Sequence, residues 1–199
     1  MKKLFALLPI LIIVAASCRP KGGMDANTGY FSMAHYIDSV SAKFPVVTVN
    51  KTLLVDRRVE THLVTDSLKK LIGFIKPFDL NKPSNKGAYS VEEKADSVYG
   101  FTRHCTTYTL KDGEKLSLKR FVIIDGDGEQ GNYTIAFNYK QTNLLSELVK
   151  TCELRFNKVS GFQYCVFNIE EGFKYSTTKK LTIRLKSTTS FSLPTPSSQ

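Results

Sequence analysis

Tryptophan is absent from this 199-residue chain, and methionine and histidine are scarce, at three each. The histidines are His35, His62 and His104. No two share metal-ligand spacing, so surface or partly packed imidazoles are expected, and no metal. No glycine-rich phosphate loop, dinucleotide fingerprint or serine elbow occurs. That removes the usual sequence warrants for an enzyme or a cofactor, and a non-enzymatic protein is expected. Acidic residues are outnumbered, 18 against 28 Lys and Arg, for a net charge of +10. The basic residues form no stripe, so their excess reads as solubility, with some attraction to anionic lipid or polysaccharide, and no nucleic-acid partner is expected. The apolar run at 4–16 falls short of the roughly 20 residues that a spanning helix needs.

What that run does match is a leader. Lys2 and Lys3 precede it, and Ala15-Ala16-Ser17 follow it, directly before Cys18. Charged start, apolar stretch and small residues make a signal peptide over 1–17. With Cys18 next, the junction resembles the lipobox of bacterial lipoproteins, in which the peptidase cuts before the cysteine and acyl chains are attached to it. Cys18 is therefore the expected lipidation site, with membrane lipid as its partner, and more than one chain makes release negligible. Cleavage also removes two positive charges. Residues 18–29 read as acylated cysteine and flexible tether, 30–187 as a single domain, and 188–199 as a disordered tail. Three cysteines remain, Cys105, Cys152 and Cys165, an odd number that cannot all pair within one chain. A Cys152–Cys165 bridge across a hairpin stays open, as does their remaining reduced.

Along the domain, Phe31, Ala34, Ile37, Val40 and Phe44 recur at helical steps, and Pro45 ends the segment. Two β-branched stretches follow, with Asp56-Arg57 as the turn. In the second, Val59, Thr61 and Leu63 share a face, and this face is expected to pack. A second helix is expected from a Thr65 or Asp66 cap to Pro77, with Leu68, Leu71, Ile72 and Ile75 as its stripe. Strands are then expected near 97–110, 115–124, 132–140, 150–157, 162–169 and 178–186, after a short one at Ala88–Val91, with Leu116, Leu118, Val122 and Ile124 on one face. Residues 143–151 suit either helix or strand. The resulting fold class is α+β, two N-terminal helices packed on a curved, mainly antiparallel sheet. The 13 Phe and 9 Tyr are expected to make a packed core, and a cavity for an apolar ligand is the alternative.

After the second helix stands Asp79-Leu80-Asn81-Lys82-Pro83, followed by Gly87 and Tyr89. Together with Cys18 and Tyr30-Phe31, these resemble a family of small uncharacterised lipoproteins of the Bacteroidota. That family combines an acylated cysteine, an aromatic-rich first helix, an Asp-Ile/Leu-Asn-Lys-Pro element and a closing strand meander. The resemblance implies a topology and an envelope location, and no mechanism. Exported members carry acidic residues after the cysteine, whereas Arg19-Pro20-Lys21 stand here. The expectation is therefore the periplasmic side of the outer membrane. The pentapeptide itself reads first as a turn, with Asp79, Asn81 and Lys82 as candidate binding residues beside that reading.

The remaining constellations offer little chemistry. Asp125, Asp127 and Glu129 alternate as in a calcium loop, but Gln130 and Ala136 stand where that loop needs glycine and glutamate, so a hairpin connection is expected. His104 and Cys105 are adjacent and would face opposite ways in a strand, so they cannot pair as base and nucleophile. No catalytic residue is nominated. Ser39, Ser67 and Ser97 each follow an aspartate and precede an apolar residue, as in the acceptor for periplasmic O-glycosylation, although aspartate and serine also begin helices and strands. The expected role is an accessory or binding domain for an envelope protein. The alternatives are a carrier or sensor of an apolar ligand such as a lipid, and a hydrolase with an unrecognised site.

Overall fold

A computed structural model describes residues 29–98, 101–127, 131–173 and 178–188, without the side chains of Ser97, Val98, Phe101 and Asp127. The leader, Cys18, the tether through residue 28 and the tail from residue 189 lie outside the described residues.

The first helix, α1, spans Met33–Lys43. Ser32 caps it, its Oγ accepting from the His35 N–H at 3.2 Å, which satisfies one of the amide groups that a helix start leaves free. Met33, Tyr36, Ile37 and Ser41 are its buried side. Phe31 is also buried but precedes the helix, and Ala34 and Val40 are only half-buried. A hairpin follows, β1 (Val46–Val55) and β2 (Arg58–Ser67). Asp56 turns it in the left-handed region, at φ 52°, where a short polar side chain is among the few tolerated. The alternation in β2 is as expected, but its inward side is not. Buried Val49 opposes Val64, so one register choice sends Val59 and Leu63 outward, 63% and 67% exposed.

The second helix, α2, is only Leu68–Ile72, and it tightens into a 3-10 segment, Gly73–Phe78, that contains Pro77. Its cap is Ser67, because β2 runs on through Thr65 and Asp66. After a 3-10 turn at Pro83–Asn85 the chain becomes a meander. Its strands are β3 (Tyr89–Val98), β4 (Phe101–Leu110), β5 (Leu118–Asp127), β6 (Asn132–Thr142), β7 (Ser146–Asn157), β8 (Gly161–Phe173) and β9 (Lys179–Ser187). The stretch expected as one strand over 97–110 takes in the last two residues of β3 and the whole of β4, and residues 146–151 belong to a strand.

β1 closes onto β9, giving one antiparallel sheet of order β2-β1-β9-β8-β7-β6-β5-β4-β3. The described chain is thus mostly antiparallel sheet with few helical turns. The helices do not both precede the sheet, since β1 and β2 lie between them.

A register shift between Leu118 and Arg120 changes which β5 side chains face inward. Phe121 and Ile123 join Leu118 in the core while Val122 and Ile124 face away, against the expected grouping. Phe121, Ile135, Phe137, Leu154, Cys165, Phe167 and Leu185 line the inner face. Rings from the helical segments meet it. Tyr36 stacks on Tyr133 at 4.9 Å and Phe78 on Phe137 at 4.6 Å, while Phe74 meets Phe167 edge-on at 5.1 Å. Each such pair contributes about 0.5–1.5 kcal/mol beyond burial.

Candidate functional site

The Asp79–Pro83 element is the first place to look, and its polar groups are engaged internally. The Asp79 carboxylate accepts from the backbone N–H of Met33 at 3.0 Å, Ala34 at 3.3 Å and Asn81 at 3.0 Å, and from Ser32 Oγ at 3.0 Å. Lys82 Nζ donates to the Pro77 carbonyl, and the Asn85 amide donates to the carbonyls of Asp79 and Leu80. The element is a clasp between α1 and the end of the second helical segment, a longer-range role than a local turn. Beside it, Phe78, Lys82, Asn85, Leu116 and Tyr139 border a cleft of about 190 Å³.

A larger depression lies on the opposite face of the sheet. It is a trough of about 360 Å³ across β5, β6, β7 and β8. Register explains its shape. Val122 opposes Ala136, Ala136 opposes Glu153, and Glu153 opposes Val166, so three small apolar side chains share one cross-strand row with a single carboxylate. The adjacent row is Arg120, Asn138, Thr151 and Asn168. Short residues in the first row let the longer ones stand around them.

The polar groups are partly pre-set. Asn168 Nδ2 donates to Thr151 Oγ1 at 3.1 Å, and Thr182 Oγ1 donates to Asn168 Oδ1 at 2.9 Å. Tyr164 donates its phenol proton to Glu153. Burial, and then this bond, push the Tyr164 phenol above its ordinary range. Arg120 and Asn138 are exposed at the trough and bound to no other side chain among the described residues. The arrangement presents a cation, an anion, carboxamides and a hydroxyl around an apolar floor. It can orient a ligand by hydrogen bonds.

The other nominated residues are scattered. His35, His62 and His104 are exposed on three different elements, and among the described residues no three His, Cys, Asp or Glu groups converge on a possible metal position. Asp125 lies within β5 and pairs with Lys158 Nζ at 2.6 Å, while residues 128–130 are outside the described set. Ser39 is exposed on α1, Ser67 accepts from the Lys70 N–H as a helix cap, and the Ser97 side chain is not described. The three described cysteines are free thiols. Cys152 and Cys165 are buried on the inner face, and a hydrogen bond between them, reinforced by burial, raises the Cys152 thiol well above its ordinary range. The trough residues carried no sequence motif. Only the pairing of four strands assembles them.

No family model, curated protein or solved structure matches the chain.

Proposed function

We propose that this chain is an outer-membrane-anchored periplasmic lipoprotein whose domain is a non-catalytic binding module for a small hydroxyl-rich solute, a sugar or short glycan. The supporting observation is the trough. Its hydrogen-bonded Thr182–Asn168–Thr151 row is set in place, while Arg120 and Asn138 are left to engage a ligand. A sugar offers hydroxyls that both donate and accept, which suits carboxamides, and a C–H face that suits Val122, Ala136 and Val166. At about 360 Å³, the space falls within the range of small-molecule sites, roughly 300–1,000 Å³.

In the same reading, α1 and the segment from Leu68 to Phe78 cover one side of a curved sheet and leave the trough side open. The ring contacts Tyr36–Tyr133, Phe74–Phe167 and Phe78–Phe137 support that layering. The anchor rests on the Lys2-Lys3, apolar and Ala15-Ala16-Ser17-Cys18 sequence. The rings that an apolar-ligand carrier would use as a lining touch one another instead, so that alternative is not adopted.

Titration calorimetry against a panel of mono- and disaccharides tests the ligand reading. Arg120→Ala and Asn138→Ala should abolish the binding seen with the native chain and leave thermal unfolding unchanged. A native chain that binds no member of the panel, or variants that bind equally well, overturns it. Labelled palmitate tests the anchor separately, with incorporation expected in the native chain and lost in Cys18→Ser.

A further inference from the structure

We propose that the β6–β7 hairpin tip is a membrane-contact element, and that Leu144 and Leu145 enter the interface of an anionic bilayer. The two side chains are 80% and 60% exposed. Hairpin turns favour Asn, Gly and Asp, for reasons of backbone geometry that leucine does not share. Adjacent leucines in water therefore need another explanation.

The tip is also held in place. Asn143 Oδ1 accepts from the Leu145 N–H at 2.9 Å and the Ser146 N–H at 2.7 Å, and the Asn143 N–H donates to the Ser146 carbonyl at 2.9 Å. The four residues Asn143–Ser146 are uncharged, so nothing at the apex resists entry into lipid. Phe173, opposite Ser146 in the register, is partly exposed beside them.

Where the chain enters the fold argues for a bilayer as the occupant. The Tyr30 phenol accepts from the Tyr89 N–H at 3.2 Å, and Tyr89 pairs with Leu110. Across the sheet, neighbouring Thr109 pairs with Arg120, and Leu118 pairs with Tyr139, four residues before Asn143 at the tip. Tyr30, near the start of the described residues, thus sits toward the end of the sheet from which the leucines project. The stretch from Cys18 to Gly29 reaches at most about 40 Å, so an acyl anchor would hold this end toward the membrane. Charge does not oppose this, since the neighbouring connection at 111–117 is balanced, Lys111 and Lys115 against Asp112 and Glu114, in a chain of net charge +10. This orientation rests on the anchored-lipoprotein reading, but its test does not.

The absence of native tryptophan makes a single reporter clean. The chain from residue 18, with Cys18→Ser, carries an N-terminal histidine tag and is held by nickel-chelating lipid on vesicles of phosphatidylglycerol and phosphatidylethanolamine. Residues 1–17 lie outside the described residues, and the tag makes tethering independent of acylation. Leu144→Trp, and separately Leu145→Trp, should shift their emission to the blue and be quenched by brominated acyl chains. Val159→Trp, at the opposite end of β7 where Val159 is 74% exposed, should do neither. Reporters at 144 and 145 that match the one at 159 while the protein stays on the vesicles overturn the proposal. Failure of palmitate labelling would overturn the acyl anchor alone.

Discussion

The Met33 backbone N–H donates to Asp79 Oδ1 at 3.0 Å across 46 positions of sequence, so the residue that closes the second helical segment also starts the first helix. Asp79→Ala removes an ionised acceptor from Met33, Ala34 and Asn81 at once. Helix-cap losses run to about 2 kcal/mol and hydrogen bonds to charged groups to about 3. Urea unfolding should therefore show a loss of about 2–3 kcal/mol, and Asp79→Asn, which keeps one acceptor, a smaller one. A change below about 0.5 kcal/mol would mean that the clasp contributes nothing measurable.

Thiol chemistry separates the three described cysteines. Cys152 and Cys165 are buried, and the thiolate of Cys152 is disfavoured, whereas Cys105 is half-exposed. Iodoacetamide followed by peptide mass mapping should modify Cys105 in the folded protein and the other two only in guanidinium. Finding Cys152 and Cys165 joined as a disulfide would contradict the free, hydrogen-bonded pair.

The tyrosines predict alkaline behaviour. Burial raises the phenols of Tyr36, Tyr89, Tyr108 and Tyr133, with Tyr89 pushed up to about 12. In the unfolded chain phenols ionise near 10. The stabilising contribution is therefore intact below about pH 10 and is lost as pH rises toward the folded values. Absorbance at 295 nm should show these phenols ionising late, together with loss of the circular-dichroism signal. Full ionisation near pH 10 with the fold intact would be the contrary result.

A glycine couples α1 to the β7–β8 turn. Gly161 has φ +82°, and a Cβ there would lie 2.7 Å from Phe44 Cδ1. Lys43 Nζ donates to the Lys158 carbonyl at 3.1 Å at the same junction. Gly161→Ala meets both a left-handed backbone and a ring, so it should cost about 2 kcal/mol in chemical denaturation. Phe44→Ala in the same background should recover part of that loss.

These particulars also mark where sequence reasoning succeeds. The Asp56-Arg57 hairpin and most of the meander strands follow from turn residues and alternation, which are local properties. Which side of β2 faces inward depends on the Val49–Val64 pairing, and the β5 faces depend on a shift at Leu118/Arg120. Neither is encoded within the strand concerned. Asp79 was legible as a turn former, but its helix-capping partners lie 46 and 45 residues away. The trough was invisible for the same reason, since Arg120, Asn138, Thr151 and Asn168 become neighbours only when four strands align.

The pairing of Val49 with Ser187 sets an order of events. A polypeptide that emerges with its amino end leading displays the β1–β2 hairpin long before β9 exists to dock against it. Until β9 arrives, the β1 edge stays open to any stray extended segment. Native pairing of β1 therefore waits on β9, more than 120 residues further along, a non-local closure of the kind that slows folding.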